Sequence, residues 1–234
     1  MREVACCAAL LVACGMSRDV ARKLPRPPTP AEIAEAERKK AAQRRQQEEE
    51  WRRRDEERRW GGRIPTLRLR EVGGQAAQLA TLDRALVDAL EAASPDTQRT
   101  VAVWAAHQAC EMASISDRPW VAAGLGAIDR GETLPPPFDD RKAAFDKLFE
   151  GFGQVRAVTT FSIVGRNETV ADRISSTKLS KPHAALPAVF AAVESDSLRA
   201  ACDALSAAIW TAGPEHPAFL KKVHEFFATR SAPK

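Results

Sequence analysis

Apolar residues recur along the C-terminal two-thirds of the chain with the spacing of helices. Leu79, Leu82, Leu86 and Leu90 fall at i, i+3, i+7 and i+11, one buried stripe. Ser94-Pro95 then offers a cap and a first-turn proline to a helix that carries Val101, Trp104, Ala105, Cys110, Met112 and Ile115. That helix is apolar enough to be central. Asp117 is the expected cap of a segment from Pro119 to Arg130, with Gly131 as its stop. After the Pro-rich loop Leu134–Phe138, Asp139 or Asp140 opens a helix to about Phe152. Further helices are expected at Ala184–Glu194, Ser197–Ala212 and Pro217–Thr229, with Asp196 capping the second and Gly213 ending it.

Residues 153–181 are harder to read. Val155 to Val164 is β-branched and aromatic enough for a strand, yet no second strand is there to pair with it. The expectation is an irregular crossing segment with a short helix at Glu168–Ser175.

The N-terminal third has a different pattern. Thr29, Pro30 and Glu32 form a capping box with a first-turn proline, and no Gly or Pro follows until Gly61-Gly62. Five acid-to-base pairs at i,i+4 (Glu35–Lys39, Glu48–Arg52, Glu49–Arg53, Glu50–Arg54 and Asp55–Arg59) support this helix at ~0.2–0.5 kcal/mol each. Its only large apolar residues are Ile33, Trp51 and Trp60. They make no heptad seam, so a coiled-coil dimer is poorly supported. The fold class that follows is all-α: a compact bundle of about five to seven short helices preceded by one long charged helix. The expected divisions are an apolar segment over residues 1–16, a Pro-rich basic linker over 17–30 and a helical arm over 31–62. A linker over 63–74, whose brief alternation before paired Gly also fits one short strand, and a helical domain over 75–234 complete them.

Composition agrees with that pattern. The chain has 234 residues with 44% hydrophobic and 28% charged, ordinary for a globular protein. Its 43 Ala favour helix, and no run of 18 apolar residues exists to span a membrane. The net charge of +4 is unevenly spread. Residues 18–71 hold 17 Lys/Arg against 11 Asp/Glu, and residues 72–234 hold 17 against 19. Interleaved acids weaken the field of the basic arm beyond about 8 Å, so nucleic-acid binding through it is a weak alternative.

Five cysteines occur, at 6, 7, 14, 110 and 202, without the spacing of a zinc or redox motif. Val4 to Ala13 are small or apolar and precede Cys14-Gly15. Leu11-Val12-Ala13-Cys14 resembles the lipobox of bacterial lipoproteins, which implies a lipid-modified Cys14 and an envelope location. A translation start at Met16 and an ordinary apolar tail fit the same residues, and a cytoplasmic location is the leading expectation. Arg22, Pro25 and Pro28 match a pattern that SH3 grooves recognise, and a semi-rigid spacer explains the same prolines.

No catalytic constellation stands out. Gly-x-Ser-x-Gly and a Walker phosphate loop are missing, and Gly124-Leu125-Gly126 lacks the third glycine of a dinucleotide loop. His224-Glu225 lacks the second histidine of a zinc-protease motif, so no metal or cofactor is expected. Asp139-Asp140 is read first as helix capping and alternatively, with Asp129 and Glu132 nearby, as a site for a cation or a basic partner. Trp120 and Phe138 are read first as core, and with Pro136, Asp139 and Asp140 they make the alternative of a surface interaction groove. The leading functional expectation is a non-catalytic helical interaction or scaffold protein with an unidentified protein partner.

Overall fold

Helix α1 (Pro30–Arg59) begins where Thr29 and Glu32 exchange hydrogen bonds. The Thr29 amide donates to Glu32 Oε2 at 2.6 Å, and the Glu32 amide donates to Thr29 Oγ1 at 3.3 Å. The computed structural model of the chain describes residues 28–150 and 168–231. None of α1's residues is buried, and Trp51 keeps 64% of its surface exposed. Its ion pairs follow the sequence in part. Lys39 reaches Glu35 at 2.7 Å and Arg59 reaches Asp55 at 3.0 Å, while Arg53 turns forward to Glu57 at 3.4 Å.

The chain divides into two compact units, residues 1–52 and 53–234. The second unit is all-α. Its helices are α2 (Leu67–Val72), α3 (Gly74–Leu82), α4 (Arg84–Ala92), α5 (Pro95–Met112), α6 (Pro119–Arg130) and α7 (Arg141–Phe149). They continue as α8 (Val170–Ser175), α9 (Lys181–Ala192), α10 (Ser197–Ala212) and α11 (His216–Ser231). No strand occurs among the described residues. The expected strand over Val155–Val164 lies outside them. The short helix expected at Glu168–Ser175 is α8, opened by a Thr169–Asp172 capping box.

Helices α5, α9 and α10 pack on one another and form the centre. Alanine makes this approach close: α10 buries Ala200, Ala201, Ala204, Ala207, Ala208 and Ala212 along with Leu205 and Ile209. Cys110 on α5 and Cys202 on α10 are free, buried thiols. Burial pushes both up to about 12, so neither is a ready nucleophile at neutral pH. No disulfide joins them.

Three boundaries differ from the sequence expectation. The Leu79–Leu90 stripe breaks at Asp83, whose carboxylate accepts from the Leu86 amide at 2.9 Å and starts α4. Arg118, and not Asp117, is the cap residue of α6. Residues 63–74, expected as a linker, contain α2. Thr66 Oγ1 accepts from the Leu69 amide at 3.1 Å, and Leu69 and Val72 enter the core. Trp60 joins them at 7% exposure, with Arg84 donating to its carbonyl at 2.9 Å. The core of the second unit therefore begins before the expected boundary at residue 75.

Candidate functional site

The helical unit carries a groove of about 1150 Å³ between α5, the end of α6, the end of α9 and α11. Four elements meet here because each turns an apolar stripe inward. Val103 and Trp104 come from α5, Ile128 from α6, Phe190 from α9 and Phe226 from α11. Gly131 stops α6 in the left-handed region (φ 67°), which sends the chain along the rim through Glu132 and Thr133 to Leu134. The loop then delivers Phe138 to the floor. Its ring packs against Trp120 at 5.3 Å and edge-on to Phe190 at 5.6 Å. Across the groove Trp104 stacks on Phe226 at 4.4 Å and on Phe219 at 5.7 Å.

Most of the groove's charged groups are already engaged. Arg99 donates to the Ala192 carbonyl at 2.7 Å and the Ser195 carbonyl at 3.2 Å, closing the C-terminus of α9. Asp129 lies 2.8 Å from His107 Nε2. Arg130 and Glu132 pair at 2.8 Å, and the guanidinium holds the Glu132 carboxyl below its usual range. Asp139 accepts from the Asp140 amide at 3.1 Å. The groove is thus an apolar floor under a rim of two cations and three anions, of which all but Asp139 are engaged by side chains or helix-end carbonyls of the protein.

The residues singled out from sequence are only partly brought together. Phe138 and Asp139 line the groove, Phe138 buried and Asp139 exposed. Trp120 lies behind Phe138, half-buried. Pro136 is exposed, outside the lining, and linked to Pro137 by a cis peptide bond. Asp140 caps α7, accepting from the Lys142 amide at 2.8 Å, the simpler of its two sequence readings. Sequence reasoning missed Arg99, Phe190 and Phe226 as groove residues. The signal was faint, since each sits on a helix whose apolar stripe reads as core. Cys14, Arg22 and Pro25 lie outside the described residues.

Among the described residues, no group of three or more His, Cys, Asp and Glu is arranged to hold a metal ion. No helix among them is long and apolar enough to cross a membrane. Comparison with protein-family models, with curated proteins and with solved structures finds no match for the chain. The class that fold and site define is an all-α helical unit with an open apolar groove.

Proposed function

We propose that the protein is a non-catalytic interaction protein whose α5–α6–α9–α11 groove receives an apolar segment of a protein partner. The observation that carries this reading is the aromatic and aliphatic lining of the groove, with Arg99, Asp129, Arg130 and Glu132 on its rim engaged by the protein's own groups. A catalytic cleft keeps a base, acid or nucleophile available to substrate. Here Arg99, Asp129, Arg130 and Glu132 are engaged with the protein's own groups, and Asp139 stays exposed on the rim. What the groove offers is aromatic and aliphatic surface, with rim charges of both signs to fix the direction of a bound segment.

The test is a photo-crosslinking residue at exposed Thr133 in living cells, with and without Val103→Arg. A discrete crosslinked protein that disappears with Val103→Arg, while the variant keeps its helical circular dichroism, is the expected result. Crosslinking that is absent, or unchanged by the floor charge, overturns the reading. The reading includes a cytoplasmic location. A membrane-fractionated chain whose intact mass begins at lipidated Cys14 would move the protein to the envelope. Nucleic-acid binding through α1 is disfavoured because Lys39, Arg53, Arg58 and Arg59 already pair with acids of the same helix.

A further inference from the structure

The charges around the groove are unequal in number and in availability. Asp129, Glu132 and Asp139 are negative, and Arg99 and Arg130 are positive. Both cations are occupied: Arg99 by the carbonyls of Ala192 and Ser195, and Arg130 by Glu132. Asp129 in turn lies against His107. Asp139 differs from the other four. It is exposed, and among the described residues its carboxylate receives only the amide of Asp140, at 3.1 Å. The cations that follow it in sequence serve other groups. Lys142 reaches Asp146 at 2.5 Å, while the Arg141 guanidinium lies 5.0 Å over the Phe190 ring and lines a separate, smaller cavity beside α10.

Helix α6 makes the same rim more electronegative. Its C-terminal end carries the negative pole of the helix dipole, and Arg130, the basic residue of its last turn, is turned to Glu132. Asp139 directly follows Phe138, so a carboxylate with no cation stands at the edge of the apolar floor. A chain that lays an apolar side chain on Phe138 brings its neighbouring residues to Asp139. The stem of a Lys or Arg there covers more of the floor while its charged head meets the carboxylate at the solvent edge.

We propose that the segment received by the groove is basic as well as apolar, with an aromatic or aliphatic anchor over Phe138 and Phe226 and a Lys or Arg close to it in sequence that pairs with Asp139. This rests on the groove being a partner site and names the chemistry of the partner. The whole chain carries a net charge of +4, so its overall field opposes a basic segment and the preference belongs to this rim.

The test is selection of a random peptide library on phage against the full chain, followed by anisotropy titration of an enriched, fluorescein-labelled peptide. Enriched peptides should carry Lys or Arg beside apolar residues and lose binding to Val103→Arg. Replacing that Lys or Arg by Glu in the peptide should weaken binding about fivefold or more. Asp139→Asn, which keeps an acceptor for the Asp140 amide, should weaken the basic peptide by about threefold. Asp139→Lys should reverse the order, so that the Glu peptide binds more tightly than the basic one. Glu111→Gln, on α5 outside the lining, should change neither. Thermal unfolding of each variant checks that the fold is retained, and Asp139→Asn serves if Asp139→Lys does not fold. Peptides that need the floor yet bind equally with Lys or Glu, or ignore the Asp139 variants, overturn the basic partner and leave the groove as a binding site. Peptides indifferent to Val103→Arg, or no enrichment at all, overturn the groove as a partner site and this inference with it.

Discussion

Gly124 shows how much one missing atom can decide. A Cβ built on it would lie 2.5 Å from Cε2 and 2.9 Å from Cδ2 of Phe138. The Phe138 ring has little room to yield, because Trp120 and Phe190 flank it and it is buried. Gly124→Ala should therefore destabilise the protein by about 1–3 kcal/mol, read as a lower urea midpoint, and displace the floor of the groove. An unchanged midpoint would mean that the ring rotates away without cost. The sequence shows Gly124 as half of a broken dinucleotide motif. Its actual reason, a close approach to a loop residue 14 positions later, has no local signature.

His183 supplies a pH dependence at the same scale. Burial lowers its pKa, and its ring packs 4.9 Å from Phe145 and 5.9 Å from Phe149. The unfolded chain then binds the proton more readily than the folded one. Stability from the neutral ring is complete above the ordinary histidine value of about 6.5 and is lost as pH falls below it toward the folded value. Asp203, raised by burial, acts in the opposite sense: its folded form takes up the proton first, so falling pH through its folded value restores stability. His183→Gln should lower the urea midpoint above about pH 6.5 and flatten its decline below that value, so that the difference from wild type shrinks in acid. An equally steep decline in the variant would assign the acid sensitivity to other groups.

At the scale of elements, caps account for most of what the sequence made legible. Thr29 with Glu32, Ser94 with Pro95, Asp196, Gly131 and Gly213 all stand where their chemistry predicts. Each works within three or four residues of itself, which is why a linear reading finds it. Helix α2 escaped because it is one and a half turns long and its Leu67–Arg70 stretch alternates like a strand. Only contact with the core distinguishes buried Leu69 from exposed Leu67. The break at Asp83 was hidden by a leucine stripe that continues in phase across it. Asp83 also reaches His224 Nε2 at 2.5 Å, a contact 141 residues away along the chain.

Asp196 is the cap with most resting on it. Its Oδ1 accepts from the Leu198 and Arg199 amides at 3.1 Å and from Arg68 at 2.6 Å. Burial works to raise this carboxyl, yet the Arg199 amide and Arg68 outweigh it and hold the pKa below its ordinary value. The stabilisation is therefore present above the unfolded pKa of about 3.9 and disappears as pH falls through the lower folded value. Asp196→Ala should cost about 1–2 kcal/mol at pH 7, with the difference from wild type shrinking in acid. A pH-independent loss would show that the side chain acts by packing alone.

For the whole molecule, the groove and the fold were legible to different degrees for one reason. Helix content depends on near neighbours, whereas the groove joins Val103, Phe138, Phe190 and Phe226, which meet only when α5, α9 and α11 are packed. Phe138 reads first as core and Asp139 first as a cap, and only the rigid proline loop beside them points to a surface. Phe190 and Phe226 have no such pointer, because an aromatic on a core stripe and an aromatic on a groove floor look alike in sequence.

The same long-range dependence locates the start of the folded unit. Its division from the preceding residues falls between Arg52 and Arg53, inside α1, well before the expected boundary at 75. Beyond that point Glu56 takes a bidentate pair from Arg70 at 2.7 and 2.9 Å, and Trp60 fills the core beside α2 and α4. Arg84 ties this stretch down through the carbonyls of Trp60 at 2.9 Å and Arg63 at 3.1 Å. A chain of residues 53–234 should then unfold in one cooperative step at close to the full-length midpoint. A chain of residues 63–234 lacks Trp60 and should lose about 3–5 kcal/mol, a large share of the ~5–15 kcal/mol of an ordinary domain. Urea unfolding of both chains separates the cases. Equal midpoints would make Trp60 a passenger on the surface of an already complete core. A non-cooperative 53–234 would mean that residues before Arg53 complete the fold, and the charged helix would belong to the domain it precedes.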